Sequence, residues 1–268
     1  MIARHVMRRG QPESDGDART ADASATTDGG AQLGEGWPVS ADRLMELQRL
    51  LAEEADGTEP WLPSNGAGLR LGGVWVVNPR GGTGSGRRGD PAWTAAVVIE
   101  GERVLCTAII DGVTASAYEP GLLALREGAL LEGALRALPI QPDVVLVNAT
   151  GRDHPRRAGL ALHLGAMVGL PTVGVTDRPL VADGTAPGPR REDTSPLFLD
   201  GGVVAVWVRT KTAARPVVAH AAWRTDCDVA RSLVLSSTGR WRTPQPLRLA
   251  RQLARSARSR RDCQNSDC

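Results

Sequence analysis

Pro142-Asp-Val-Val-Leu-Val-Asn148-Ala-Thr-Gly-Arg-Asp-His154-Pro-Arg-Arg-Ala-Gly159 is the stretch that decides the fold of this 268-residue chain. Residues 143–147 form a continuous apolar run, the pattern of a strand buried on both faces. A helix is expected over 155–169. Leu170-Pro-Thr-Val-Gly-Val175 follows, with a second buried strand over 171–175. Upstream, the spacing predicts an amphipathic helix over 41–55, with Leu44, Leu47, Leu50 and Leu51 on one face and Ser40 as its N-cap. Strand-like runs come next at 71–77, 94–99 and 104–110, the last two joined by a turn at Glu100-Gly101. The Gly-rich segment between the first two, residues 79–90, reads as a flexible hairpin loop. It lacks the Lys-Ser/Thr of a phosphate-binding P-loop and opens no helix. A helix over 121–138 precedes the quoted stretch.

Downstream lie a Pro/Gly/charged loop at 182–196, strands at 203–209 and 216–221, and a helix at 226–236. Strands first, then alternating helix and strand, imply an α/β mixed sheet. Such sheets place their sites at strand carboxyl ends, which directs attention to Asn148. The ends of the chain differ in character. Residues 1–38 are poor in apolar side chains and are expected to be a disordered tail. Residues 39–245 hold the folded domain. Residues 246–268 form an arginine-rich tail (Arg248, Arg251, Arg255, Arg258, Arg260 and Arg261), read by default as a solvated, frayed terminus.

Composition narrows the function. Net charge is +2, short of the excess expected of a strongly basic nucleic-acid binder. Lys211 is the only lysine, and the arginine bias fits a GC-rich genome. Cys106, Cys227, Cys263 and Cys268 have no CxxC spacing, which argues against a zinc site or a disulfide scaffold and for reduced thiols. No apolar run is long enough to span a bilayer, and the N-terminus has no secretory h-region. The expected location is cytoplasmic, with no membrane partner.

Tyr118-Glu-Pro-Gly-Leu-Leu-Ala-Leu-Arg-Glu127, the stretch 142–159, the strand 170–175 and the segment 217–230 together resemble endonuclease V over about residues 40–240. The resemblance implies a ribonuclease H-like mixed sheet flanked by helices. It also implies Mg²⁺-dependent cleavage of DNA or RNA near deaminated bases, chiefly inosine. A Mg²⁺ nuclease needs clustered carboxylates, because this hard cation prefers oxygen ligands in tight octahedral geometry. At the matching places the chain has Trp75, Asn148, Asp177 and Trp223; among the family's carboxylates only Glu127 remains. Tyr118 matches a wedge tyrosine. Gly121, Leu123, Gly151, His154 and Leu180 match the enclosure of a flipped base, which Ala149 narrows where the family has glycine.

These departures set the expectations to be tested. Neither metal nor other cofactor is expected. Glu127, His154, Asp153 and Asp177 are expected to act as acid–base groups in a cleft walled by Trp75 and Trp223. The chain is then expected to have given up nuclease activity for elimination or ring closure on a small organic ligand, with or without a protein partner. Two alternatives stand beside this: a non-cleaving binder of inosine or other modified bases, and a structural or regulatory partner protein. Each residue also has a plainer role open to it. The two tryptophans would fill a discarded site, Tyr118 would pack, and His154 would fix the loop before Pro155. Glu127 would pair with Arg126 or Arg156, and Asn148 would cap the strand end.

Overall fold

The computed structural model describes residues 36–63, 68–79 and 84–266. Most of the expected disordered tail and four residues of the 79–90 loop lie outside these. Eight strands form one sheet in the order β3-β2-β1-β4-β5-β8-β7-β6. They are β1 (Arg70–Val77), β2 (Pro91–Glu100), β3 (Arg103–Val113), β4 (Val144–Val147), β5 (Thr172–Thr176), β6 (Thr194–Leu199), β7 (Gly202–Val208) and β8 (Val217–Ala221). β1, β4 and β5 run parallel, and every other pairing is antiparallel. The expected α/β mixed sheet is therefore what the chain forms.

Helices cover both faces. α1 (Ala41–Gly57), α2 (Leu123–Arg136) and α3 (Leu160–Val168) bury one face around Val74, Val145 and Val147. α4 (Cys227–Thr238) and α5 (Gln245–Ser266) bury the other around Val144, Leu146 and Val173. Alternation along β4 sends successive side chains to opposite faces, so a four-residue strand feeds both cores. The Ser40 side chain caps α1 by accepting from the Arg43 N–H, and Asp226 caps α4 through Val229. Leu44, Leu47 and Leu51 are buried as expected, but Leu50 is 46% exposed.

Three local expectations are corrected. The helix after His154 begins at Leu160, because Arg157 takes a positive φ of 56° and Gly159 is extended. β6 begins within the segment 182–196 read as a loop and runs beyond it; Pro196 and the polar residues before it masked the strand on this edge of the sheet. The arginine-rich tail is not a frayed terminus but the 22-residue helix α5. Leu247, Ala250, Ala254 and Ala257, at helical spacing, are buried against the sheet. No helix among the described residues is long and apolar enough to cross a membrane.

Candidate functional site

A cavity of about 280 Å³ opens at the carboxyl end of β4. Its floor is Asn148, Ala149 and Thr150, where the strand gives way to the turn before α3. Gly121 and Leu123 at the start of α2 form one wall, and Thr176 to Leu180 beyond β5 form the other. Gln48 from α1, His154 and Leu160 close the back, and Tyr118, 46% exposed, stands at the mouth.

The back wall is a hydrogen-bonded knot. The Gly121 carbonyl accepts from Arg156 Nη2 (2.7 Å) and Gln48 Nε2 (3.4 Å) and lies 3.0 Å from His154 Nε2. Arg156 also donates through Nε to Gln48 Oε1 at 2.6 Å. The Arg156 backbone N–H donates to His154 Nδ1 at 3.2 Å, which assigns the ring proton to Nε2, facing the Gly121 carbonyl. Burial, aided by the Arg156 charge, pushes the His154 pKa down to about 4. His154 is thus neutral near pH 7 with both ring nitrogens engaged, so it holds the wall. Gly121 makes this possible with a φ of +78°, a region that side chains rarely adopt.

The opposite wall hangs on Asp153. This carboxylate is completely buried and accepts three backbone N–H bonds, from Leu180 (2.8 Å), Val181 (2.9 Å) and Ala182 (2.8 Å). His220 Nδ1 lies 3.6 Å from it, and His220 Nε2 lies 2.7 Å from Thr176 Oγ1. Burial pushes the His220 pKa down. Asp153 therefore sets the position of Leu180, and the cavity lacks it as the acid–base group that was expected. Asp177 does reach the rim, exposed and paired with Arg242 at 2.7 Å.

A second cavity, of about 310 Å³, lies beyond Tyr118, which borders both. Asn78, Ser85, Gly86, Asp90, Arg126 and Glu127 line it. Burial raises the Glu127 pKa to about 7, opposed by the Arg126 charge and a hydrogen bond with Asn78. Glu127 is thus in the field of Arg126, one of its two expected partners, and is not gathered with His154 and Asp177.

Several expected site residues lie elsewhere. Trp75 points to the other face, under α5, with the Arg251 guanidinium 5.2 Å from its ring. Trp223 is buried with the α1–α3 core, its Cβ against Gly165. The two indoles form no common wall, because strand alternation puts Trp75 on one face while Trp223 follows β8 into the core of the other. Gly151 is not at the cavity surface. A Cβ there would come 2.1 Å from the Ala221 carbonyl oxygen, so its glycine serves the packing of the turn on β8. Sequence reasoning missed Gln48, Thr150 and Asn78. Gln48 had a signal, a polar residue inside the apolar stripe Leu44–Leu47–Leu51. Among the described residues, no group of three or more His, Cys, Asp or Glu side chains could hold a metal ion.

The family model described as Endonuclease V matches residues 83–252. An endonuclease V of Methanopyrus kandleri is 44% identical over 177 residues, covering 65% of this chain and 76% of the relative. The crystal structure of the Streptomyces avermitilis endonuclease V is 33% identical with a TM-score of 0.74, covering 85% of this chain and 97% of that one. A Ciona intestinalis endonuclease V in complex with a 24mer DNA containing an inosine followed by a ribo-adenosine shares the fold. It is 18% identical with a TM-score of 0.65, covering 82% of this chain and 99% of that one. These relatives correct the expected function. Chains this similar over most of their length carry the nuclease name, and none of them points to a small organic substrate. The expectation of a former nuclease turned to metal-free elimination or ring closure does not stand, nor do its silent-binder and partner-protein alternatives.

Proposed function

Since the chain belongs to the endonuclease V family, we propose that its substrate class is nucleic acid carrying a deaminated base such as inosine, with that base turned out of the strand into the cavity at the end of β4. The observation that carries this reading is the cavity itself. It is about 280 Å³, walled by the Gly121 knot and the Asp153-held loop, with one half-exposed aromatic ring at its mouth. A flipped base needs a snug pocket of fixed polar and apolar contacts. Tyr118 offers a ring on which a base can stack, worth about 1–3 kcal/mol. The complex named above supports the choice of inosine as probe.

The resemblance implies Mg²⁺, and the residues present decide whether it fits. It requires near-octahedral oxygen ligands at roughly 2.0–2.1 Å. Of the residues at the matching places, Glu127 faces the second cavity, while on the far side of Tyr118 Asn148 supplies only an amide oxygen and Asp177 is an exposed rim carboxylate already paired with Arg242. Trp75 lies under α5. This donor set does not fit Mg²⁺, and no step is routed through it.

Competition binding with two single-stranded oligonucleotides that differ only by inosine for adenosine tests the reading. A preference for inosine of at least about tenfold is expected, corresponding to about 1.4 kcal/mol. Equal affinity for the two strands rejects it.

A further inference from the structure

The outer face of α5 carries a shallow groove of about 500 Å³ that the cavity does not explain. Arg248, Arg251, Arg255 and Arg260 line it with Gln252 and Ser256, and no acidic side chain does among the described residues. For a chain of net charge +2 this is a strong segregation of positive charge. The arrangement follows from the helical repeat. Leu247, Ala250, Ala254 and Ala257 face the sheet, and Arg248, Arg251 and Arg255 each follow one residue later, at the edge of that buried stripe. Two of the guanidinium groups are oriented on indoles, Arg248 at 5.0 Å from Trp241 and Arg251 at 5.2 Å from Trp75. Burial first, and the neighbouring charge of Arg255 second, hold Arg251 below its usual pKa; an anion between them would relieve that repulsion.

The groove and the cavity share no lining residue, but two neighbouring pairs link them. Val74 pairs with Val147 in the parallel β1–β4 register, so Trp75, beneath Arg251, stands one residue on, beside Asn148 of the cavity floor. Asp177 on the same rim lies in the field of Arg251. From Arg248 to Arg260 the helix rises about 18 Å, at about 1.5 Å per residue. That is the length of about five stacked nucleotides at roughly 3.4 Å each. Arginine is the side chain best shaped for phosphate, through its planar fork of donors.

We propose that the α5 groove is the track for the phosphodiester backbone of the strand whose base enters the cavity, with Arg248, Arg251, Arg255 and Arg260 contacting successive phosphates irrespective of sequence. The proposal rests on the nucleic-acid reading above, and its test separates the two. Binding of fluorescently labelled inosine and adenosine strands is measured by anisotropy across a salt series. The proteins are the full chain, the exposed pair Arg255→Gln/Arg260→Gln and the charge-keeping pair Arg255→Lys/Arg260→Lys. Loss of two phosphate contacts should flatten the slope of log K against log[salt] by about 1.4, at about 0.7 per contact on a single strand. Affinity at about 0.1 M salt should fall about tenfold for both strands alike, with the inosine preference unchanged, and the lysine pair should stay within about threefold of the parent. The thermal unfolding midpoint reports whether either pair has altered the fold. Wild-type affinity and slope in the glutamine pair overturn the groove and leave the base cavity standing. The same result with saturable binding of polyglutamate assigns the groove to an acidic protein segment, and the proposal fails. A parent chain that binds both strands equally removes the base reading, and the groove is then decided by the slope alone.

Discussion

The two cavities that share Tyr118 are built in opposite ways. The one at the end of β4 is walled by groups whose hydrogen bonds are already spent: His154 with both nitrogens engaged, Gln48 and Arg156 tied to the Gly121 carbonyl, and Asp153 accepting three N–H bonds behind the wall. The one beyond Tyr118 holds Glu127, a half-buried carboxyl poised near neutrality with one amide partner. The first has the character of a rigid recognition pocket, in which fixed dipoles meet a ligand without rearrangement. The second has the character of a titrating site. Near pH 7 the first should be indifferent to acidity and the second should not.

The comparison breaks most severely at Asp153. Asp153→Ala leaves three N–H groups, that of Ala182 fully buried, without an acceptor and should cost about 3–5 kcal/mol in urea unfolding, because hydrogen bonds to a charged group are each worth roughly 1.5–3 kcal/mol and the two at exposed residues can be partly replaced by water. Inosine preference should go with it, since Leu180 loses its anchor. A stability loss below about 1 kcal/mol would show that the wall does not depend on this carboxylate.

Acidity separates the cavities next. His154 in the first cavity's wall, and His163, which lines neither cavity but is buried in α3 against Trp37, are held near 4, both chiefly by burial, below the 6.5 of an exposed imidazole. The unfolded chain therefore takes up protons first as pH falls. The stability these two contribute is complete above pH 6.5 and is lost between 6.5 and about 4, on the order of 1–3 kcal/mol each. Glu127 runs the other way. Its folded pKa of about 7 exceeds the ordinary 4.5, so the stability it contributes is complete below pH 4.5 and is lost as pH rises to about 7. Glu127→Gln should accordingly gain on the order of 1–3 kcal/mol relative to the parent at pH 8 and little at pH 4. An identical pH–stability curve for parent and variant would contradict the desolvation of the Glu127 carboxyl in this cavity.

At the shared mouth, Tyr118→Ala should weaken the inosine strand by about 1–3 kcal/mol through lost stacking. Tyr118→Phe should keep that affinity, and stability should change by less than about 0.5 kcal/mol because the ring is half exposed. Loss of affinity in the phenylalanine variant would transfer the role from ring to hydroxyl. The smallest effect concerns metal. With no fitting donor set beside the cavity, EDTA should leave the inosine preference within about twofold, well under the 1.4 kcal/mol of a tenfold change. A preference that vanishes with EDTA would mean that an ion helps to build the pocket.

What the sequence disclosed follows the strength of each local pattern. The buried runs 143–147 and 171–175 have one reading, so the parallel centre of the sheet and the position of the site at Asn148 were legible. Tyr118, Gly121, Leu123, Ala149, His154 and Leu180 were expected at one cavity and do line it. The face to which Trp75 turns was not legible, because it depends on α5, whose small buried residues Ala250, Ala254 and Ala257 were hidden among arginines. Asp153 and Asp177 are both acidic and both follow a central strand, yet only the fold decides that one is buried under three N–H bonds and the other paired with Arg242 at the rim. Gln48, some 70 residues from Gly121, could be joined to it only by the packing of α1 on the start of α2.

The central claim is that one base occupies the cavity at the end of β4. The most direct test fills that cavity with Leu180→Trp, at a position 40% exposed and therefore tolerant of a larger ring, and repeats the inosine–adenosine competition. Loss of inosine preference, with the salt dependence of binding kept, is the predicted result. An undiminished preference in the filled protein would place the base elsewhere and contradict the account.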